Sequence, residues 1–98
     1  MSKPEPLTEQ QIRSALAELP GWSLDSDQLG KTFTFANFVE AFGFVARVAV
    51  LAEKHEHHPD WCNSYNRVTI KMTTHDAGNK VTRRDTELAA AIERVAAK

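Results

Sequence analysis

The chain has 98 residues, of which 42% are hydrophobic and 26% are charged, as expected of one domain with a modest core. Its formal net charge is -1, so the chain lacks the broad positive field that direct nucleic-acid binding requires. The longest apolar run, residues 42–52, is interrupted by Arg47 and is shorter than the roughly 20 residues of a membrane span, so no membrane association is expected.

Cys62 is the single cysteine, which excludes an intramolecular disulfide and a zinc cluster built on several thiolates. A reducing, cytoplasmic setting is therefore expected. Residues 1–6 contain two prolines and no apolar signal core. We expect them to form a flexible arm before a domain that spans residues 7–98.

The first predicted helix begins after Thr8. This hydroxyl, Gln11 three residues later and the flanking apolar residues match a capping box with a hydrophobic staple. Residues 20–21, Pro-Gly, end the helix. Two strands, 22–24 and 29–35, are then predicted on either side of a polar turn, so a hairpin is the simplest connection.

A long helix is predicted from residue 38 to about residue 57, because Asn37 is a favourable N-cap and Pro59 forbids continuation. It carries two neighbouring apolar stripes. One stripe comprises Phe38, Phe42, Val45, Ala49 and Ala52, and the other comprises Phe44, Val48 and Leu51. So wide an apolar arc indicates burial against the sheet and against a second surface, such as another subunit. His55 extends the second stripe and is expected to be a packed residue.

Two further strands are predicted at residues 61–65 and 67–74, the second with a clean alternation of apolar and polar residues. A polar loop leads to a last helix that Thr82 caps. Asp85 stands at its third position, near the positive end of the helix dipole, and we interpret it as a structural capping residue. The order of elements predicts an α+β single domain, with a four-stranded antiparallel sheet and three helices covering one face.

Three of the four histidines fall within residues 55–58, where the long helix must stop before Pro59. Imidazole has the side-chain pKa nearest to neutrality, so several together indicate proton transfer or metal binding. Junctions between elements are also places where functional sites tend to lie. The alternative interpretation is a chance cluster of surface histidines at a helix end.

His57 and His58 are adjacent, and the proline that follows biases His58 towards an extended backbone, so the two rings point in different directions. His75 follows the most regular strand and comes near them if that strand pairs with residues 61–65. We therefore expect three imidazoles around one pocket. Glu53, one helical turn before His57, can accept a hydrogen bond from a ring N–H or from a ligand. Trp61 either forms an aromatic wall or fills the core.

Three kinds of chemistry remain open for these residues. A metal site would recruit the three histidines and Asp60, but adjacent histidines rarely bind one ion and the H-E-x-x-H spacing is absent. A nucleophilic enzyme would use Cys62 or a serine activated by a histidine, and Cys62 has no activating motif around it. General acid-base catalysis without a metal requires only imidazoles around a ligand pocket, and the sequence supplies them.

Four short motifs also occur in order along the chain. They are Glu53-Lys54-x-x-His57-His58-Pro59-x-Trp61, Tyr65-Asn66-x-Val68-x-Ile70, Thr74-His75 and Arg84-Asp85-x-x-Leu88-Ala89. Together they resemble the pterin-4a-carbinolamine dehydratase family over nearly the whole domain. His55 falls at a position that varies in that family, so no catalytic role is carried over to it.

The resemblance implies a lyase that converts 4a-hydroxytetrahydropterin (4a-hydroxytetrahydrobiopterin) into quinonoid dihydropterin and water, by metal-free histidine acid-base catalysis. It implies catalytic roles for His57, His58 and His75. Proton transfer is assigned to His57 and His75, and His58 is assigned mainly positioning with a share of the acid-base work. Glu53 and Trp61 are implied to contact the pterin. The pterin is the substrate, so no cofactor and no metal are expected.

The resemblance also implies partners. The substrate arises when an aromatic amino acid hydroxylase uses its tetrahydropterin, which places the activity in tetrahydropterin recycling. Members of the family form dimers or tetramers, so a homodimer or homotetramer is expected. Some animal members stabilise the dimer of a homeodomain transcription factor. The alternative function is therefore an oligomerisation or binding module that acts as a dimerisation cofactor for a protein partner.

Overall fold

The structure is a computed structural model that describes residues 4–96. Its helices are α1 (Glu9–Ala17), α2 (Phe38–His55) and α3 (Arg83–Ala96), and its strands are β1 (Ser23–Asp25), β2 (Gln28–Thr34), β3 (Asp60–Ser64) and β4 (Arg67–Met72). The predicted α+β class and order of elements are confirmed. The predicted arm begins with residues 1–3, which lie outside the described residues, and its flexibility stays a prediction.

The four strands form one antiparallel sheet in the order β1-β2-β4-β3. The hairpin between β1 and β2 turns at Ser26 and Asp27, whose φ angles of 52° and 63° are both left-handed, as in a type I′ turn. The central pairing of β2 with β4 joins the two halves of the chain and sets Phe33 opposite Val68. β3 therefore lies at one edge of the sheet, directly after α2.

The helices cover one face of the sheet, where the alternating residues of β4 are buried. These are Val68, Ile70 and Met72. Phe44 of α2 is fully buried over this face, and its ring centroid lies 4.8 Å from that of Phe33. The opposite face is polar, and on it the hydroxyls of Thr32 and Thr69 lie 3.0 Å apart. The core is thus a single layer between the helices and the sheet.

α1 begins with the predicted capping box. The Thr8 hydroxyl accepts a hydrogen bond from the Gln11 N–H at 3.1 Å, and Gln11 Oε1 accepts one from the Thr8 N–H at 2.8 Å. The reciprocal pair satisfies two donors that the first helical turn leaves without partners.

α2 buries only part of its apolar arc. The buried residues are Ala41, Phe44, Val45, Val48 and Ala52. Phe38 and Phe42, from the first predicted stripe, remain 49% and 59% exposed, and Val39 and Val50 are exposed as well. One chain by itself therefore leaves a large apolar surface uncovered on α2. Among the helices of residues 4–96, none combines the length and the apolar character needed to cross a membrane.

The ends of all four strands differ by one or two residues from the prediction, and two of the differences have a clear local cause. β3 stops at Ser64, because Tyr65, with a φ of 50°, begins the two-residue turn that leads into β4. β4 stops at Met72 and not at residue 74. Thr74 instead pairs with Lys80 in an isolated bridge, and the chain between them makes a short 3₁₀ turn. The strand therefore ends before the segment that carries the predicted functional histidine.

Candidate active site

The end of α2 decides where the histidines point. The helix stops at His55, two residues earlier than predicted, because Glu56 adopts a left-handed backbone with a φ of 51°. The N–H of His57 donates to the carbonyl oxygen of Ala52 and the N–H of Glu56 donates to that of Glu53, as in a Schellman motif. This reversal turns His57 into the protein, where it is only 8% exposed, and leaves His58 on the surface.

His57 is paired with a buried carboxylate. Its Nε2 atom lies 2.6 Å from Oδ1 of Asp85, a residue of α3 that is 0% exposed. Because an ionised carboxylate can only accept, Nε2 carries the ring proton and donates it to this bond. The Nδ1 atom of His57 has no hydrogen-bond partner among residues 4–96, and His57 borders an open cleft. Nδ1 is therefore the nitrogen that can exchange a proton with a molecule in the cleft.

Two further donors hold the other oxygen of Asp85. Its Oδ2 atom accepts from the Thr74 hydroxyl at 2.8 Å and from the Thr82 N–H at 2.9 Å. Together with His57, three donors surround one buried carboxylate, which offsets the cost of removing its charge from water. The contact with Thr82 also lies in the first turn of α3, where the helix dipole favours a negative charge. Asp85 thus joins the start of α3 to the end of α2.

The three predicted histidines border one cleft of about 230 Å³. The residues around it are Glu56, His57, His58, Thr73, Thr74, His75, Asp76 and Arg84. His75 reaches the cleft from the 3₁₀ turn after β4, and its Nδ1 donates to Oδ1 of Asn79 at 3.2 Å. The Nε2 atom of His75 is thereby left available. The cleft brings together imidazoles in two settings, one buried and fixed by a carboxylate and two exposed.

The predicted substrate-binding residues, Glu53 and Trp61, do not themselves line this cleft. The Glu53 carboxylate accepts a hydrogen bond from Nε2 of His58 at 3.2 Å, and both side chains are exposed. Trp61 pairs with Ile70 across β3 and β4, and it borders a separate depression together with Cys62. Glu53 thus reaches the cleft through His58, whereas Trp61 does not line it. The roles of both residues towards a substrate stay predictions.

Sequence reasoning misses several features of the cleft. It assigns Asp85 to helix capping alone and gives no role to Thr74, since nothing in the sequence marks the contact between them. Thr73 also borders the cleft, and within residues 4–96 its hydroxyl is the buried side-chain polar atom that lacks a hydrogen-bond partner. The same range contains no group of three or more His, Cys, Asp or Glu side chains arranged to hold a metal ion. Cys62 is exposed.

Comparison with known proteins shows which family of proteins this chain is similar to. Residues 5–95 match the family described as pterin 4 alpha carbinolamine dehydratase. A protein of Rhodopseudomonas palustris, provisionally named pterin-4-alpha-carbinolamine dehydratase, is 53% identical over 93% of this chain and 91% of its own. One of Opitutus terrae with the same provisional name is 48% identical, over 94% and 95% of the two chains. The crystal structure of a transcriptional coactivator/pterin dehydratase from Brucella melitensis superposes with a TM-score of 0.88 at 40% identity, over 93% of this chain and 98% of that one.

Proposed function

This chain belongs to the pterin 4 alpha carbinolamine dehydratase family, and we propose that it dehydrates 4a-hydroxytetrahydropterin to quinonoid dihydropterin by histidine acid-base catalysis without a metal. The observation that carries the proposal is the pair formed by His57 and Asp85 at the edge of a cleft that two more histidines border. A buried carboxylate that fixes one nitrogen of an imidazole leaves the other as a directed base.

The reaction needs two proton transfers. The bond between C4a and its hydroxyl oxygen breaks, and the oxygen leaves as water after it takes up a proton. The adjacent ring nitrogen loses its proton, and the electron pair of that N–H bond forms the new C=N double bond. A general acid at the hydroxyl and a general base at the ring nitrogen are therefore required, and each contributes typically about 10²- to 10⁴-fold. No electron acceptor is consumed.

The geometry supports a division of roles. His57 suits the base, because Asp85 holds its Nε2–H and stabilises the imidazolium that forms when Nδ1 takes up a proton. His75 suits the acid, since it is exposed and its Nε2 is available to deliver a proton from solvent. His58, which donates to Glu53, mainly positions the pterin and shares in proton transfer. Trp61 is assigned a contact with the pterin.

The decisive test follows the decay of 4a-hydroxytetrahydropterin, produced in a coupled hydroxylase reaction, with and without the protein and with a strong chelator. Acceleration that persists in the chelator is expected. In the variant His57→Ala, this acceleration should be smaller by roughly 10²- to 10⁴-fold. His55→Ala is the matched control, because His55 lies two residues earlier, at the end of α2, and does not border the cleft. No acceleration by the wild-type protein would refute the proposal, and loss to the chelator would indicate a metal.

The wider setting forms part of the same proposal. An aromatic amino acid hydroxylase supplies the substrate, and the natural pterin carries the side chain that this hydroxylase uses. A homodimer or homotetramer would cover the exposed apolar residues of α2, such as Phe38 and Phe42. A cytoplasmic location suits a chain with Cys62 as its single cysteine.

A second function, an oligomerisation module that serves as a dimerisation cofactor for a protein partner, is favoured by one observation. Phe38, Val39, Phe42 and Val50 expose apolar surface along α2. The Brucella melitensis relative is described as both a transcriptional coactivator and a pterin dehydratase. The two functions separate in one experiment. Loss of partner binding in Phe42→Glu with retained pterin turnover would support the module, and loss of turnover in His57→Ala with retained partner binding would support the enzyme.

A further inference from the structure

Two buried threonine hydroxyls form a short hydrogen-bond chain that ends at the Asp85 carboxylate. Thr74 and Thr82 are each only 1% exposed, and their Oγ1 atoms lie 2.7 Å apart. Thr74 precedes the 3₁₀ turn that carries His75, and Thr82 precedes α3. The two residues come together because the backbone of Thr74 pairs with Lys80 in an isolated bridge. The hydroxyl pair therefore depends on the fold of this loop.

The hydrogens of this pair have one consistent direction. Asp85 as a carboxylate accepts only, so the Thr74 hydroxyl, 2.8 Å from Oδ2, must donate to it. The oxygen of Thr74 then has only lone pairs left to offer, so the hydroxyl of Thr82 donates to Thr74. Thr82 Oγ1 in turn accepts from the N–H of Arg84 at 3.2 Å. The hydrogen bonds thus form a chain in one direction, in which the Arg84 N–H donates to Thr82, the Thr82 hydroxyl donates to Thr74, and the Thr74 hydroxyl donates to the Asp85 carboxylate.

This arrangement fixes the rotation of the carboxylate. With Oδ2 held by the Thr74 hydroxyl and the Thr82 N–H, Oδ1 is the atom that faces His57. We propose that Thr74, supported by Thr82, is a positioning residue that orients Asp85 and thereby keeps His57 in the single tautomer with its proton on Nε2. Chains of buried hydrogen bonds strengthen one another in a low dielectric, so the second hydroxyl reinforces the first.

The kinetic consequence of this inference rests on the proposed function, whereas its spectroscopic consequence does not. Thr74→Val keeps the shape of the side chain and removes the hydroxyl. We expect kcat for pterin dehydration to fall about 10- to 100-fold, the cost of one hydrogen bond to a charged group. Thr74→Ser restores the hydroxyl and should return kcat to within about threefold of wild type.

The ring nitrogens of His57 provide a readout that needs no turnover. In ¹⁵N NMR of the wild-type protein, we expect the neutral ring of His57 as the Nε2–H tautomer alone. Thr74→Val should add a measurable population of the Nδ1–H tautomer, and Thr74→Ser should not. Thr32→Val is the matched control, since it breaks another pair of threonine hydroxyls, Thr32 with Thr69, on the opposite face of the sheet. It should leave both kcat and the tautomer of His57 unchanged.

A further measurement on the wild-type protein decides the case if Thr74→Val does not fold. The Thr74 hydroxyl proton, buried and donated to a carboxylate, should exchange with water slowly enough to give its own NMR resonance. The hydroxyl proton of the accessible Thr69 should exchange too fast to give a resonance of its own. Fast exchange at Thr74, or an unchanged His57 tautomer in a folded Thr74→Val, would overturn the inference. If the wild-type protein does not accelerate pterin dehydration but His57 responds as expected, the proposed function fails and the positioning role stands.

Discussion

Nε2 of His57 and Oδ1 of Asp85 lie 2.6 Å apart, although 28 positions separate the two residues in the chain. Asp85 is completely buried, so its charge depends on the donors around it. The pair connects the end of α2 to the start of α3, and it leaves one nitrogen of the imidazole for the cleft. One contact therefore joins two helices of the fold and fixes the orientation of an imidazole that borders the cleft.

Replacing Asp85 by asparagine tests the carboxylate itself. The amide keeps the shape but presents an NH₂ group to donors that need an acceptor. We expect a loss of about 1–3 kcal/mol in the free energy of unfolding, measured by urea denaturation. The rate of pterin dehydration should fall by roughly 10²-fold or more, because His57 loses its fixed tautomer. Asp27→Asn, an exposed partner of Lys80, is the control and should change the stability by no more than about 0.5 kcal/mol. Equal effects of the two variants would contradict the role of Asp85.

Replacing the buried His57 should destabilise the protein more than replacing the exposed His75, whereas both replacements should slow turnover. His57→Ala leaves the Asp85 carboxylate without a partner, so we expect a loss of about 3 kcal/mol in the free energy of unfolding. His75→Ala removes an exposed side chain and should cost no more than about 0.5 kcal/mol. Urea denaturation gives the stabilities, and decay of the 4a-hydroxytetrahydropterin gives the rates. Normal turnover in His75→Ala would remove His75 from the proposed mechanism.

The left-handed residue at the end of α2 predicts an unusual stabilising substitution. Glu56 has a φ of 51°, a backbone conformation that costs a residue with a Cβ about 1 kcal/mol and costs glycine little. We expect Glu56→Gly to raise the free energy of unfolding by about 0.5–1 kcal/mol, seen as a higher Tm.

The matched control is Glu53→Gly in the last turn of the same helix. Glu53 has helical geometry, so the same chemical change should lower the stability there by about 0.5–1 kcal/mol. A stabilised Glu53→Gly, or a destabilised Glu56→Gly, would show that the helix does not end as described.

The exposed apolar residues of α2 predict the behaviour of the chain in solution. Phe42 is 59% exposed within one chain, so Phe42→Glu should not unfold the monomer. If α2 is covered in a homo-oligomer, the charge should shift the species measured by sedimentation velocity to a smaller one, since a buried unpaired carboxylate is costly. Leu24→Glu, an exposed apolar residue on β1, is the control and should leave the oligomer unchanged. An unchanged sedimentation coefficient in Phe42→Glu would place any interface elsewhere.

Most of the fold follows from short-range patterns. Thr8 with Gln11 and Asn37 with Glu40 form hydrogen bonds three residues apart, so the starts of α1 and α2 can be predicted from the sequence alone. The alternation of β4 likewise predicts which of its residues are buried. The end of α2 is less predictable, because the left-handed turn is made by a glutamate and not by the glycine that usually marks it.

The sequence by itself determined the order of elements, the helix starts and the clustering of histidines before Pro59, since these depend on local hydrogen bonds and on the periodicity of apolar residues. Only the tertiary structure decided that His57 meets Asp85 and that Thr74 lies behind the carboxylate. It also left Trp61 out of the lining of the cleft that the histidines border. These contacts depend on the reversal of the chain after α2 and on the pairing of β4 with its neighbours. Side chains far apart in sequence meet only where such long-range packing brings their backbones together.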